Sequence, residues 1–192
     1  MNKFFAAALI AVSTLALSAG VAPVSAAGMM SMPVYVGGAP MYSTKNIIEN
    51  AVNSKDHTTL VAAVKAAGLV DTLQSAGPFT VFAPTNAAFA KLPAGTVDNL
   101  VKPENKDTLT KILTYHVVPG RLTAVALMKA IKDGEGTAKF KTVAGGDIWI
   151  KQAGPGKLSV TDAKGDVATV TIPDVLQSNG VIHVIDPVLL PM

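Results

Sequence analysis

The chain has no cysteine. It therefore carries no disulfide, no thiolate nucleophile, no Cys-ligated metal and no acceptor for a lipoprotein anchor. Aromatic residues make up only 5%, with a single Trp. Lys and Arg never cluster beyond a pair, and the formal charge of +3 includes Lys3, so the basic pI of about 9.1 is not a nucleic-acid signal. No Gly-x-Ser-x-Gly elbow, His-Glu zinc motif or Gly-rich phosphate loop is present. Ser178, His183 and Asp186 are close in sequence, but such closeness does not make a triad, and an enzyme is not expected.

What is present begins with a secretory pattern. Lys3 is a positive n-region, residues 4–17 an apolar h-region, and Val24-Ser25-Ala26 a small-residue cleavage site. The h-region is too short for a membrane span, and no later stretch is long and apolar enough to be one. We expect a signal peptide over 1–26 and a flexible arm rich in Met, Gly and Pro over 27–41. A single domain is expected over 42–191, in a protein that is secreted, periplasmic or held at the cell surface. Without the leader, about 165 residues remain, enough to bury close to 70% of the unfolded surface without a staple. The thioethers of Met29, Met30 and Met32 lack His or Cys beside them, so no metal or cofactor is expected.

The strongest local pattern is residues 77–92. Phe79 and Val81 fall on one face of an extended run and Phe82 on the other, the mark of a strand buried on both sides. Pro84 stops it, Thr85 is a good N-cap, and Phe89 reaches the fourth helical position, where it can staple back on Pro84.

This run, Phe-Thr-Val-Phe-Ala-Pro-Thr-Asn-Ala-Ala-Phe, resembles the first signature block of the fasciclin-type domain. Residues 112–120, with Tyr115 and His116, are similar to that family's central Tyr-His motif. Residues 179–191, with Val181, His183 and Pro187, are similar to its closing block. The resemblance implies an α+β fold with N-terminal helices packed beside a β-rich wedge or sandwich core, and with the Phe79 and Val181 strands adjacent at its centre. It also implies a recognition role for Tyr115 and His116, flanked by Ile112, Leu113, Val117 and Val118; a buried, hydrogen-bonded His116 is the alternative reading.

Helices are expected over 44–52, from a cap at Asp56 to Gly68, over 69–73, 96–101, 103–118 and 123–131. His57 reads as a solvated first-turn residue. Residues 139–143 and 147–151 read as a hairpin around Ala144-Gly145-Gly146, with Phe140 opposite Ile150 and Lys141 opposite Trp149. That pattern places Lys139, Lys141, Trp149 and Lys151 on one face, able to stack a sugar or hold an anionic polymer, or else to cover the indole with Lys stems. A second pair, 158–161 with 167–172, surrounds a turn whose Asp162 and Asp166 read as solvated. Residues 173–178 read as a helical or turn segment, and 181–185 as the last core strand, with His183 satisfied inside it.

The expected function is an exported, non-enzymatic adhesion or recognition module for a cell-surface or matrix protein or polysaccharide. Multivalent adhesion would need a homo-oligomer or a partner, since no repeat is visible. The resemblance also implies an alternative: a carrier of an apolar small molecule such as a carotenoid.

Overall fold

The computed structural model describes residues 32–191. The expected leader and residues 27–31 of the expected arm lie outside the described residues. The rest of the arm is not without structure. Val34–Val36 (β1) and Ala39–Met41 (β2) pair antiparallel across Gly37 and Gly38, both at positive φ, as a two-residue primed turn requires. Val36 and Met41 are buried, so the folded unit begins before residue 42.

Five α-helical segments and the first core strand follow. α1 is Ile47–Ala51, with Asn46 and Glu49 forming a capping box. After a 3-10 turn at Lys55–His57 comes α2, Thr58–Ala67, closed by Gly68 in the left-handed conformation. Asp56 lies inside that turn and makes no cap. α3 is Val70–Gln74. Phe79–Pro84 (β3) leads through the Thr85 cap into α4, Asn86–Ala90, and α5 is Thr96–Leu100.

A 3-10 turn at Pro103–Asn105 opens α6, Lys106–Tyr115. The helix was expected to reach Val118. It stops because the β-branched pair Val117 and Val118 enters β4, Val117–Pro119, antiparallel to β3. α7, Ala124–Asp133, is capped by Thr123. The β-rich half then runs through β5 (Thr137–Lys141), β6 (Asp147–Gly154), β7 (Lys157–Thr161), β8 (Val167–Gln177) and β9 (Gly180–Asp186).

These strands form a seven-stranded sheet in the order β4-β3-β9-β8-β7-β6-β5. Its edges approach each other: the Val143 N–H donates to the Val117 carbonyl at 2.8 Å, so the sheet curls nearly into a barrel. β3 and β9 lie parallel, Val81 opposite Ile182 and Phe82 opposite His183. One face of this pair, with Val81, Ala83, Ile182 and Val184, packs in the helix-side core. The other, with Phe82 and Ile185, packs inside the curl. The two-sided burial read from residues 79–82 is what the fold uses.

Two β-rich expectations change. The β5–β6 hairpin pairs Lys139 with Trp149, Phe140 with Ile148 and Lys141 with Asp147, so the loop is 142–146 rather than three residues. Thr142 closes it by donating from backbone and hydroxyl to Gly146 O, while Val143 and Ala144 turn their N–H groups to Val117 and Thr114. Gly146 is required there, since a Cβ would lie 2.7 Å from the Tyr115 ring. The shift is by two residues, so each side chain keeps its face. Residues 173–177 are strand, not helix. β8 absorbs Pro173 in bulges between Val170 and Val175, and Asp174, thrown out at φ 55°, caps the Ala124 N–H of α7 at 2.6 Å.

Phe82 is fully buried between these elements and Val125 is 78% exposed. Chemical denaturation of Phe82→Ala should show a loss of about 3–5 kcal/mol, with Val125→Ala within about 0.5 kcal/mol of the parent. Equal effects would contradict the placement of the core.

Candidate functional site

The sheet face outside the curl carries the predicted cluster. Lys139, Trp149, Thr161 and Val167 form one cross-strand row, and Thr137, Lys151, Ser159 and Thr169 the next. Lys139, Lys141 and Lys151 are exposed and Trp149 half-buried. The Lys139 ammonium lies 5.8 Å from the Trp149 ring centre and 2.9 Å from the Asp147 carboxylate. The Lys139 ammonium rather than its stem is the group placed by the Trp149 ring. Such an exposed cation–π contact is worth only about 0.5–1 kcal/mol.

The structure puts Tyr115 and His116 elsewhere, in the interior, 1% and 2% exposed. The Tyr115 hydroxyl donates to Asp147 O at 2.7 Å and accepts from Ala163 N–H at 2.9 Å. Desolvation holds its pKa above the ordinary value. His116 Nδ1–H donates to Ile112 O at 2.9 Å, and Nε2 accepts from Leu189 N–H at 3.0 Å. These bonds fix the tautomer. Ile112, Leu113, Val117 and Val118 are buried as well. The pair therefore ties α6 to β6, to the β7–β8 turn and to the C-terminal segment.

Asp162 belongs to the same knot. Far from solvated, it is 1% exposed and accepts from the N–H groups of Lys164, Asp166 and Leu190. His183 is equally committed, with Nε2 2.7 Å from Leu122 O and Nδ1 accepting from Asp174 N–H at 3.3 Å, its ring stacked on Phe82. Both nitrogens are engaged with backbone, and Asp186 pairs with Lys91 at 2.6 Å. Among the described residues no group of three His, Cys, Asp or Glu is placed to hold a metal, and no helix is long and apolar enough to cross a membrane.

As well as Asp162, sequence reasoning misplaced His57. It is 3% exposed because the β1–β2 turn lies over its 3-10 turn. Lys55 N–H donates to Gly37 O, and a Cβ on Gly37 would come within 2.6 Å of Asp56 N and Ser54 Oγ. His57 Nδ1 is 2.9 Å from Ser54 Oγ. Nε2 is buried with no hydrogen-bond partner; the Ala83 backbone faces the ring outside hydrogen-bond geometry.

His57 lines a narrow cavity of about 70 Å³ between the helical layer and β3, walled by Val36, Met41, Ile48, Leu60 and Val64 among others. At about 24 cal/mol per Å³ the void costs roughly 2 kcal/mol, and an unsatisfied buried nitrogen about 1–3 kcal/mol more. A cavity of roughly 150 Å³ admits benzene. An extended carotenoid-like polyene has no room in this one.

Comparison with known proteins accords with this architecture. The fasciclin-domain family model matches residues 55–191, and the chain belongs to that family. It is 52% identical to protein sll1483 of Synechocystis sp., over 81% of this chain and 79% of that one. It is 34% identical to immunogenic protein MPB70 of Mycobacterium bovis, over 99% and 97%. With the cell surface glycolipoprotein MPB83 of M. bovis it shares 36% identity over 88% of this chain and 65% of that protein. The fold matches the FAS1 domain pair of the insect cell adhesion molecule fasciclin I, with a TM-score of 0.67 and 21% identity. That match covers 76% of this chain and 51% of that one, so this chain spans about half its length.

All three histidines of the chain have pKa values lowered chiefly by desolvation, His116 to about 4 from 6.5. A base with a lowered folded pKa binds more protons when unfolded, so stability is full above pH 6.5 and falls as pH drops toward 4. For His116 alone the loss approaches about 3 kcal/mol. Urea unfolding between pH 7 and 4 should show this decline and a shallower slope in His116→Asn; a flat profile would contradict the buried neutral rings.

Proposed function

We propose that this protein is an exported, non-enzymatic recognition module whose sheet face binds an anionic polysaccharide of the cell surface or matrix. The observation that carries the reading is the half-buried Trp149 set among exposed Lys139, Lys141 and Lys151 on a rigid sheet. A sugar ring stacks on an indole, and ammonium groups at this spacing meet carboxylate or sulfate along a polymer. The neutralising Asp147 keeps the patch from being a broad cationic surface, which favours discrimination over general charge attraction. Membership of the fasciclin family, and a relative that is a cell surface glycolipoprotein, support the exported setting. Tyr115 and His116 act in this reading by holding α6 against the sheet, so their loss weakens binding through the fold.

One site of this kind is weak, and avidity requires several copies on one polymer or an oligomer. A glycan array probed with the protein, followed by titration of the best acidic hit, tests the reading. Trp149→Ala and the triple variant Lys139→Ala/Lys141→Ala/Lys151→Ala should each weaken binding at least tenfold while the protein stays folded with only a modest loss of thermal stability, and binding should fall with added salt. A bound protein or neutral glycan unaffected by these substitutions would place recognition elsewhere.

A further inference from the structure

The cavity beneath the N-terminal hairpin has a chemistry of its own. Its polar wall members are Ser54, His57, Thr72, Thr114 and His116. The Thr114 hydroxyl is engaged with Thr110 O, and both His116 nitrogens are bonded. Among the described residues, the buried side-chain nitrogen left without a partner is His57 Nε2.

Its protonation follows from counting donors. Ser54 is 2% exposed, and its hydroxyl is within reach of His57 Nδ1. If Nδ1 carried the proton, it would donate to Ser54 Oγ, leaving the Ser54 O–H without an acceptor as well as Nε2 unpaired. If Ser54 donates to Nδ1, only one group is unsatisfied. The ring is then the Nε2–H tautomer, a donor in a mostly apolar wall that meets no acceptor in hydrogen-bond geometry, the Ala83 backbone facing the ring out of alignment.

The void also has a way out. Its lining includes Thr72 on α3 and Val143 in the β5–β6 loop, both exposed, so the seam reaches solvent past the helical layer. Its 70 Å³ is about half of what benzene occupies, room for roughly three or four heavy atoms. A water there would find one donor and little else, whereas a stable buried water makes about three hydrogen bonds.

We propose that this cavity is a binding site for a small neutral carbonyl compound, a short-chain ketone or ester, whose oxygen accepts a hydrogen bond from His57 Nε2–H while its alkyl carbons fill the space between Leu60, Val64 and Met41. An anion is excluded by the apolar wall, and a hydrocarbon leaves the donor unpaired. The site is independent of the Trp149 face, so the failure of either leaves the other standing.

The test is a methyl and imidazole NMR titration of the whole chain with propanone and, in parallel, with its hydrocarbon isostere 2-methylpropene, four heavy atoms each. Millimolar binding, on the order expected for so few atoms, should move the methyl signals of Leu60, Val64 and Met41 together with the His57 Nε2 resonance. The ketone should bind at least fivefold more tightly than the alkene, and His57→Phe should erase the preference. Should that variant not fold, the ketone-to-alkene ratio in the parent protein decides. Equal affinities, no movement of the cavity methyls at tens of millimolar, or a water that stays on Nε2 throughout would overturn the assignment.

Discussion

The pairing of two strands from opposite ends of the domain, β3 and β9, is the constraint on which everything else rests. They run parallel in the middle of the sheet, and a parallel pair needs a long crossover, here the whole sequence between them. Each contributes to two cores at once, Val81 and Ile182 to the helical side and Phe82 and Ile185 to the inside of the curl. Neither core is complete without both strands. The polar bonds that fix their positions are buried too: Asn179, just before β9, accepts from Ile47 N–H and donates to Leu73 O and Ser75 O, locking α1 and α3 to the same ladder.

From that ladder the rest of the molecule follows. The Tyr-His pair at the end of α6 is a knot in the interior, where a phenol, an imidazole and the Asp162 carboxylate gather the β6 start, the β7–β8 turn and the last residues. Several segments depend on this one knot. Trp149 and its lysines lie on the outer sheet face and take no part in that knot.

The sequence made some of this readable and hid the rest for identifiable reasons. Alternation at 79–82 and 181–185 displayed the two-sided strands, and helical spacing displayed α2, α6 and α7, because burial sets those patterns locally. The closeness of β3 and β9 was implied only by family resemblance. The β5–β6 register was misjudged by two residues because the loop's N–H groups bond to α6 and β4, partners that no local pattern reveals. Residues 34–41 did contain a signal: Gly37-Gly38 between short apolar runs is a hairpin turn, obscured by the surrounding Met, Gly and Pro. Missing that hairpin also misplaced His57, since its burial depends on the Gly37 turn above it. Its region from 34 to 54 precedes the part matched by the family model, yet it supplies Val36, Met41, Ile47 and Ile48 to the core.

Native-state hydrogen exchange tests the central dependence most directly. If β3 and β9 join two otherwise incomplete cores, the amides of Val81, Phe82, Ile182 and Val184 exchange only through global unfolding, at the full free energy measured by denaturation, and are the slowest in the chain. Exchange of these amides through a smaller opening, while β6 and β7 stay protected, would show that the outer sheet stands without them and would contradict the account.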